Sequence, residues 1–278
     1  SLASEWAKQD PQAALVWANT LSDELKGDAM NNIVEQLTSQ DPLEAAKVAM
    51  GFDGEQRERS LRTIADQWSR NEPEEAVKWA EALTVEGKTQ ALEEAVESWV
   101  GKDTDAAVAY MAKMDQGERD QIMKEVVEQW GRKGAEAQPA AAEWVASQPD
   151  GKGKVDATGE IVGQWMRTDA ESASGWLNEQ PEGDAKDRGI AALLRDRSVR
   201  EDPEAAVAWA DSISDSEMRS EQVESSARNW LSKDRASALE YLESTNSLSA
   251  EQKTKLINIP QEELERGGRD SRRRGRPF

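Results

Sequence analysis

Aromatic residues recur along this chain at a nearly fixed interval, and that interval decides what the chain can fold into. One set of positions is Trp6, Leu37, Trp68, Trp99, Trp130, Trp165, Ser198 and Trp230, separated by steps of 31, 31, 31, 31, 35, 33 and 32 residues. A second set follows eleven residues later at Trp17, Val48, Trp79, Tyr110, Trp176, Trp209 and Tyr241, and fourteen later at Trp144. Three residues before every member of the second set stands an alanine: Ala14, Ala45, Ala76, Ala107, Ala141, Ala173, Ala206 and Ala238. A period in the thirties marks a stacked array, whose units are each too small to bury an apolar face without a neighbour.

The segment from Trp68 to Trp99 shows what one unit is. Asp-Pro opens the equivalent segments at Asp10-Pro11, Asp41-Pro42 and Asp202-Pro203, and Glu72-Pro73 stands in that place here. An aspartate at the N-cap accepts a hydrogen bond from a free backbone N–H, and proline just inside loses nothing there. The first helix carries Ala76, Trp79, Ala80 and Leu83 at i, i+3, i+4 and i+7, one apolar stripe. A break follows, in most copies with a glycine (Gly27, Gly54, Gly87, Gly117, Gly151 or Gly183). The second helix repeats the same spacing with Leu92, Ala95, Val96 and Trp99, as Leu61, Ile64, Ala65 and Trp68 do one unit earlier. Short connections make such helices antiparallel neighbours. The fold expected is therefore all-α: a right-handed α-solenoid of about eight αα-hairpin repeats of 31–35 residues. It covers residues 1–259 and begins mid-repeat, with residues 260–278 forming a C-terminal extension that ends in a basic disordered tail.

Composition narrows the function classes. Of 55 acidic side chains only one, Asp270, lies beyond residue 265, whereas six of the 35 basic ones do, so residues 1–265 carry a net charge of −25. Such a body repels phosphate backbones, which disfavours nucleic acid as a partner except through the tail. There is no cysteine, hence no disulfide or thiolate chemistry. There is no histidine, the commonest general base and metal ligand. The carboxylates do not fall at calcium-loop spacing, and the cluster Asp211, Asp215 and Glu217 reads as a polar turn. No enzyme activity, cofactor or metal is expected. No run of apolar residues reaches membrane-spanning length. The compartment stays open between cytoplasmic and exported.

The pattern resembles the tetratricopeptide-like superfamily of α-solenoids. It looks closer to uncharacterised bacterial proteins with tandem Trp-rich helical repeats, in which Asp-Pro-x-Ala-Ala-x-x-Trp-Ala recurs. That phrase is complete at Asp10–Ala18 and Asp202–Ala210 and partial at Asp103–Tyr110. The period of 31–33 and the lack of Gly-Tyr and Pro signatures depart from the tetratricopeptide pattern. The resemblance implies binding of a protein or peptide on a curved surface, and carries over no catalytic residue.

Two features stand out as candidate partner-binding sites. The stretch Asp187–Arg200, expected as one second helix, holds Arg188, Arg195, Arg197 and Arg200, with Arg195 and Ser198 where apolar residues belong. It reads either as a clamp for carboxylates, which arginine forks bind at two points, or as a local change of register in which Leu193 and Leu194 fill the core. The second feature is the tail with Arg269, Arg272, Arg273, Arg274 and Arg276, suited to nucleic acid, an anionic membrane surface or an acidic protein surface. The ruler also slips by four residues at Gly131–Pro139, which suggests a bend or softened seam. The function expected is a non-enzymatic scaffold or adaptor that presents an acidic curved surface to protein partners, alone or as a subunit of a larger assembly. The alternatives are a small-ligand or carbohydrate module using the tryptophans, and an anion binder working through the tail.

Overall fold

Capping aspartates punctuate the chain as the sequence pattern requires. The carboxylates of Asp10, Asp41 and Asp202 accept from the backbone N–H of Ala13, Glu44 and Ala205 at 2.9, 3.0 and 3.1 Å, each with proline next in line. Asp103, Asp169 and Asp234 do the same without a proline, so six hairpins open on the same bond, each cap contributing about 1 kcal/mol. Two hairpins depart from this: the Gln138–Ser147 helix opens on Ala137 with no side-chain cap, and in the other Glu72 replaces the aspartate. It stands at an N-cap but its carboxylate instead accepts from the Trp68 indole N–H at 3.0 Å.

The structure is a computed structural model and describes residues 2–264, apart from the side chains of residues 2–4 and 23. Among the described residues the regular structure is entirely helical. It divides into two compact units between Lys133 and Gly134, inside the stretch where the ruler slips.

In the first unit the helices are α1 (Leu2–Gln9), α2 (Pro11–Ala18), α3 (Asp23–Thr38), α4 (Pro42–Met50), α5 (Gly54–Ser69), α6 (Pro73–Ala82), α7 (Lys88–Lys102), α8 (Thr104–Met111) and α9 (Gln116–Gly131). The odd-numbered helices, all but the eight-residue α1 longer than the even-numbered ones, pack on one another in sequence, α1 on α3, α3 on α5, α5 on α7 and α7 on α9. The shorter α2, α4 and α6 each sit against the two odd-numbered helices that flank them, and α8 sits against α7.

The second unit has a short 3-10 turn (Ala135–Ala137) followed by α10 (Gln138–Ser147), α11 (Lys152–Trp165), α12 (Ala170–Glu179) and α13 (Asp184–Leu193). It continues with α14 (Arg197–Glu201), α15 (Pro203–Asp211), α16 (Ser216–Lys233), α17 (Arg235–Ser244) and α18 (Ala250–Ile257). Here α11 packs on α13 and α16 on α18, with α12 against α11 and α13 and with α17 against α16 and α18.

The eight recurring alanines are all at most 2% exposed. The residue four positions on is buried as well, from Ala18, Ala49 and Ala80 to Leu177 and Leu242. Helix axes that approach within about 8 Å leave room for nothing larger than a methyl group. The long helices supply the bulk of the core, with Leu61, Ile64, Leu92, Val96, Ile122, Ile161 and Val223 at most 1% exposed.

Two sequence expectations need correction. Gly27 and Gly117 lie inside α3 and α9 and not in the breaks, because Ser22 and Asp115 start those helices earlier. Gly87 does hold a break: its φ of 99° is left-handed, and an added Cβ would meet Glu58 and Leu61 at 3.2 Å. The single helix expected over Asp187–Arg200 is in fact two, α13 ending at Leu193 and α14 beginning at Arg197. Leu193 and Leu194 are buried at the end of α13, so continuing the helix would have aimed Arg195 and Ser198 along the apolar stripe. Asp196 ends that conflict by capping the new helix through the Ser198 N–H at 2.8 Å. Where α12 meets α13 the approach is close enough that a Cβ on Gly189 would fall 2.6 Å from Leu177.

If the alanine contact sets the helix spacing, Ala76→Leu or Ala107→Leu overpacks it and costs about 1–3 kcal/mol in urea unfolding, whereas Lys78→Leu on the exposed side of the same helix changes stability by less than about 0.5 kcal/mol.

Candidate interaction surface

The aromatic ruler becomes a row of ring pairs. Trp6 meets Trp17 at 5.9 Å between ring centres, Trp68 meets Trp79 at 5.7 Å, Trp99 meets Tyr110 at 5.4 Å, Trp165 meets Trp176 at 6.3 Å and Trp230 meets Tyr241 at 5.7 Å. The planes are tilted by 34–51°, the offset geometry that the ring quadrupoles favour, at about 0.5–1.5 kcal/mol a pair. The eleven-residue spacing thus carries the chain from the end of a long helix, through the aspartate cap, to the middle of the next short one. The rings are not uniformly core. Trp68, Trp99, Trp130, Trp165 and Trp176 are buried, while Trp17, Trp79, Tyr110, Trp209, Trp230 and Tyr241 are half-buried.

Both tyrosines use their hydroxyl to tie one hairpin to the one before. Tyr110 donates to Glu81 at 2.7 Å and Tyr241 to Asp211 at 2.8 Å, the two carboxylates standing five residues after their own constant alanine. Burial first and then the Glu81 carboxylate push the Tyr110 phenol well above its ordinary value. Burial does the same at Tyr241, with Thr245 opposing and Asp211 adding to it. Tryptophan has no donor at that place on the ring, so this bond occurs where the ruler reads Tyr.

A second periodic row escaped the sequence reading. Twelve or thirteen residues after the constant alanine stand Lys26, Arg57, Lys88, Arg119, Lys154, Lys186 and Arg219, none of them exposed. Several reach back to carbonyls of the turn just passed. Arg219 donates to Ile213 O at 2.8 Å, Arg57 to Phe52 O at 3.4 Å, and Lys186 to both Asn178 O and Gln180 O at 2.9 Å. Lys88 pairs across to Glu118, while Lys154 pairs with Asp150 at 3.1 Å. A cation at the last carbonyls of a helix satisfies groups that have no intrahelical partner. The signal was present as a base at fixed offset, hidden among 35 bases.

The arginines singled out from sequence do not meet at one point of contact. Arg188 lies across α11, where an added Cβ on Gly159 would touch its side chain at 3.0–3.4 Å. Arg195 is exposed in the turn after α13. Arg197 is exposed on α14 and pairs with Glu201 at 2.7 Å. Arg200 is exposed too, and its backbone carbonyl accepts from Asn229 at 2.8 Å and from the Lys233 ammonium. Arg269, Arg272, Arg273, Arg274 and Arg276 lie outside the described residues.

Asp187 is nearly fully buried at 1% exposure and is saturated. It accepts from Ser214 N–H at 2.8 Å, Ser214 Oγ at 2.7 Å and Asp215 N–H at 2.9 Å, fastening α13 to the turn before α16. Of the acidic cluster read as a polar turn, Asp215 caps α16 through Met218 N–H and Asp211 accepts from Tyr241 and Ser247, so two of the three carboxylates have structural work.

Open grooves line both units, among them four formed by the described residues. A groove of about 610 Å³ between α2, α4 and the starts of α3 and α5 is bordered by Leu15, Met30, Val48 and Phe52. In the same hairpins Val16, Leu25, Leu43 and Met50 are exposed, from 40% to 69%. A groove of about 830 Å³ on α5 and α7 mixes Glu55, Glu58, Glu94 and Asp66 with Arg59, Arg62 and Arg70. In the second unit, one of about 600 Å³ is walled by Trp176, Lys154 and Lys186. The fourth, about 640 Å³, lies between the starts of α15 and α17. On α7, burial and then the neighbouring Glu125 raise the Glu93 carboxyl above the ordinary glutamate value, and burial and then Glu94 raise Glu97. Glu125 itself keeps a buried oxygen with no hydrogen-bond partner. Among the described residues no group of His, Asp or Glu is placed to hold a metal ion, and no helix is long and apolar enough to cross a membrane.

No known family matches the sequence, and no curated protein matches it. A solved structure from work on the computational design of self-assembling cyclic protein homooligomers aligns with 98% of this chain and 94% of its own, at 14% identity and a TM-score of 0.16, too low to indicate a shared fold.

Two outcomes follow. Because the folded state raises the Glu93 pKa, it binds more protons there than the unfolded chain, so that site's contribution to stability falls as pH rises. Glu93→Gln should therefore raise stability at pH 7 by about 0.5 kcal/mol after solvent screening, and the gain should vanish as pH drops through the carboxylate range, read by thermal melts from pH 7 to 4. Asp187→Ala strands three donors and should lower the stability of the second unit by about 3 kcal/mol in urea unfolding.

Proposed function

We propose that this chain is a non-enzymatic scaffold or adaptor that presents an acidic surface to protein partners, its hairpins continuing one another as a tetratricopeptide-like, right-handed α-solenoid of about eight repeats. The single observation behind this reading is the recurrence of open grooves along the hairpins, 600–830 Å³ in volume, three of them lined by charged and apolar side chains together and the one of about 830 Å³ by polar and charged side chains alone. A surface of that kind suits an extended peptide or the face of another protein better than an enclosed small molecule. The net charge of −25 over residues 1–265 favours a basic partner and gives fast, salt-sensitive association. The ring pairs speak against the tryptophans as the main ligand platform, since each ring spends much of its surface on its neighbour.

The reading is tested by capture from the native source with the intact chain and with residues 1–265, side by side. A protein held by both and released on raising salt from 0.1 to 0.5 M supports an acidic docking surface on the repeats. Retention only by the intact chain, or of nucleic acid alone, moves the function to the tail and contradicts the proposal.

A further inference from the structure

The groove between α15 and α17 differs from the other three in its chemistry. Its lining includes Glu201, Asp202, Glu204, Asp234 and Glu240, five carboxylates against one base, Lys233. That lysine is turned away to the Arg200 carbonyl. Glu204 and Glu240 are exposed and form no ion pair among the described residues. The aromatic wall is Trp230 and Tyr241, both with part of their surface open, and held in place by their mutual contact and by the Tyr241–Asp211 hydrogen bond. Carboxylates beside a partly exposed indole and phenol suit a guanidinium, which makes paired hydrogen bonds to carboxylates and cation–π contacts with aromatic rings.

An occupant of that chemistry lies a short distance along the same chain. Arg235, next to the groove residue Asp234, donates to Ile257 O at 2.7 Å and Ile259 O at 3.0 Å, which pins the end of α18 beside the start of α17. Leu264, the last described residue, is buried, and Arg269 follows it by five residues and Arg276 by twelve. Extended chain covers about 3.3–3.6 Å per residue, so these arginines can lie anywhere up to roughly 17 Å and 40 Å from Leu264. The 830 Å³ groove sets three arginines against its five acids, with Arg62 paired to Glu94 and Arg70 to Asp66, so fewer of its carboxylates are left for an added cation. We propose that the groove between α15 and α17 binds the chain's own arginine-rich segment, residues 269–276, within the same molecule, with Glu204, Glu240, Trp230 and Tyr241 as the receiving side chains. The arginine segment and any basic partner would then compete for this groove. The proposal does not depend on the adaptor reading, because it needs no second protein.

The absence of cysteine makes the test clean, since Ser271→Cys gives a unique attachment point for a nitroxide on the full chain. Broadening of the eleven tryptophan indole N–H resonances then reports which rings the segment visits. The expected result is strong broadening of Trp230 at 0.1 M salt, at least threefold reduced at 1 M salt and in Glu204→Gln/Glu240→Gln, and greater than that of the other tryptophans. Both glutamates are exposed, so the variant leaves the packing alone. Broadening of Trp230 that neither salt nor the variant reduces would show mere proximity and overturn the proposal, as would broadening spread evenly over the tryptophans. Broadening seen only when spin-labelled chain is mixed with unlabelled, isotope-enriched chain would place the segment on another molecule and overturn it as well.

Discussion

Everything in this fold depends on how closely the short helices can approach the long ones, and that closeness rests on one methyl group per hairpin. At Ala14, Ala45, Ala76, Ala107, Ala141, Ala173, Ala206 and Ala238 the side chain is buried to within 2%. Once it is small, the ring three residues later is brought against the ring at the end of the preceding long helix, and the aspartate four residues earlier in most hairpins is fixed at the cap. A larger residue would push the short helix outward and separate the rings and the cap together. The tryptophans are the visible part of the ruler, but the alanine is the part that admits no exception.

The chain spends its charge in two ways. Cations at the start of the long helices turn inward, and in three hairpins they close on backbone carbonyls, as Arg57, Lys186 and Arg219 do. A second set ties one hairpin to the next: Lys102 donates to Arg70 O at 3.0 Å, and Lys233 contacts Arg200 O at the corresponding place. Much of the positive charge is thereby consumed internally, while carboxylates such as Glu204, Glu240 and Glu93 are left facing outward or one another. The acidic surface is the complement of a structural use of lysine and arginine, and explains how a chain with 35 bases can still present an anionic face.

Much of the fold was legible in the sequence because its causes are local. Asp-Pro, the i, i+3, i+4, i+7 stripes and the short connections each act within one turn of helix, and the caps at Asp10, Asp41 and Asp202 formed as expected. What was not legible depends on partners distant along the chain. Asp187 reads as an ordinary surface acid until Ser214 and Asp215, some 27 residues on, are seen to wrap it. Glu72 looks like a weak cap until Trp68 takes its carboxylate. The break after Leu194 follows from the burial of two leucines, a tertiary fact, overriding a helical pattern that the sequence alone continues to Arg200. The grooves are harder still, since they are set by the space between hairpins and leave no spacing of their own.

Hydrogen exchange along the whole chain tests the central claim most directly, because repeat packing predicts protection with a period. Amides around Ile64, Val96, Val126, Ile161 and Val223, in the buried middles of long helices, should exchange slowest, with a pattern that repeats every 31–35 residues and holds two minima of protection per period, one at each turn between helices. Protection that rises and falls without that period, or slow exchange concentrated in one stretch while the other hairpins exchange freely, would contradict an architecture built from equivalent hairpins around a common alanine contact.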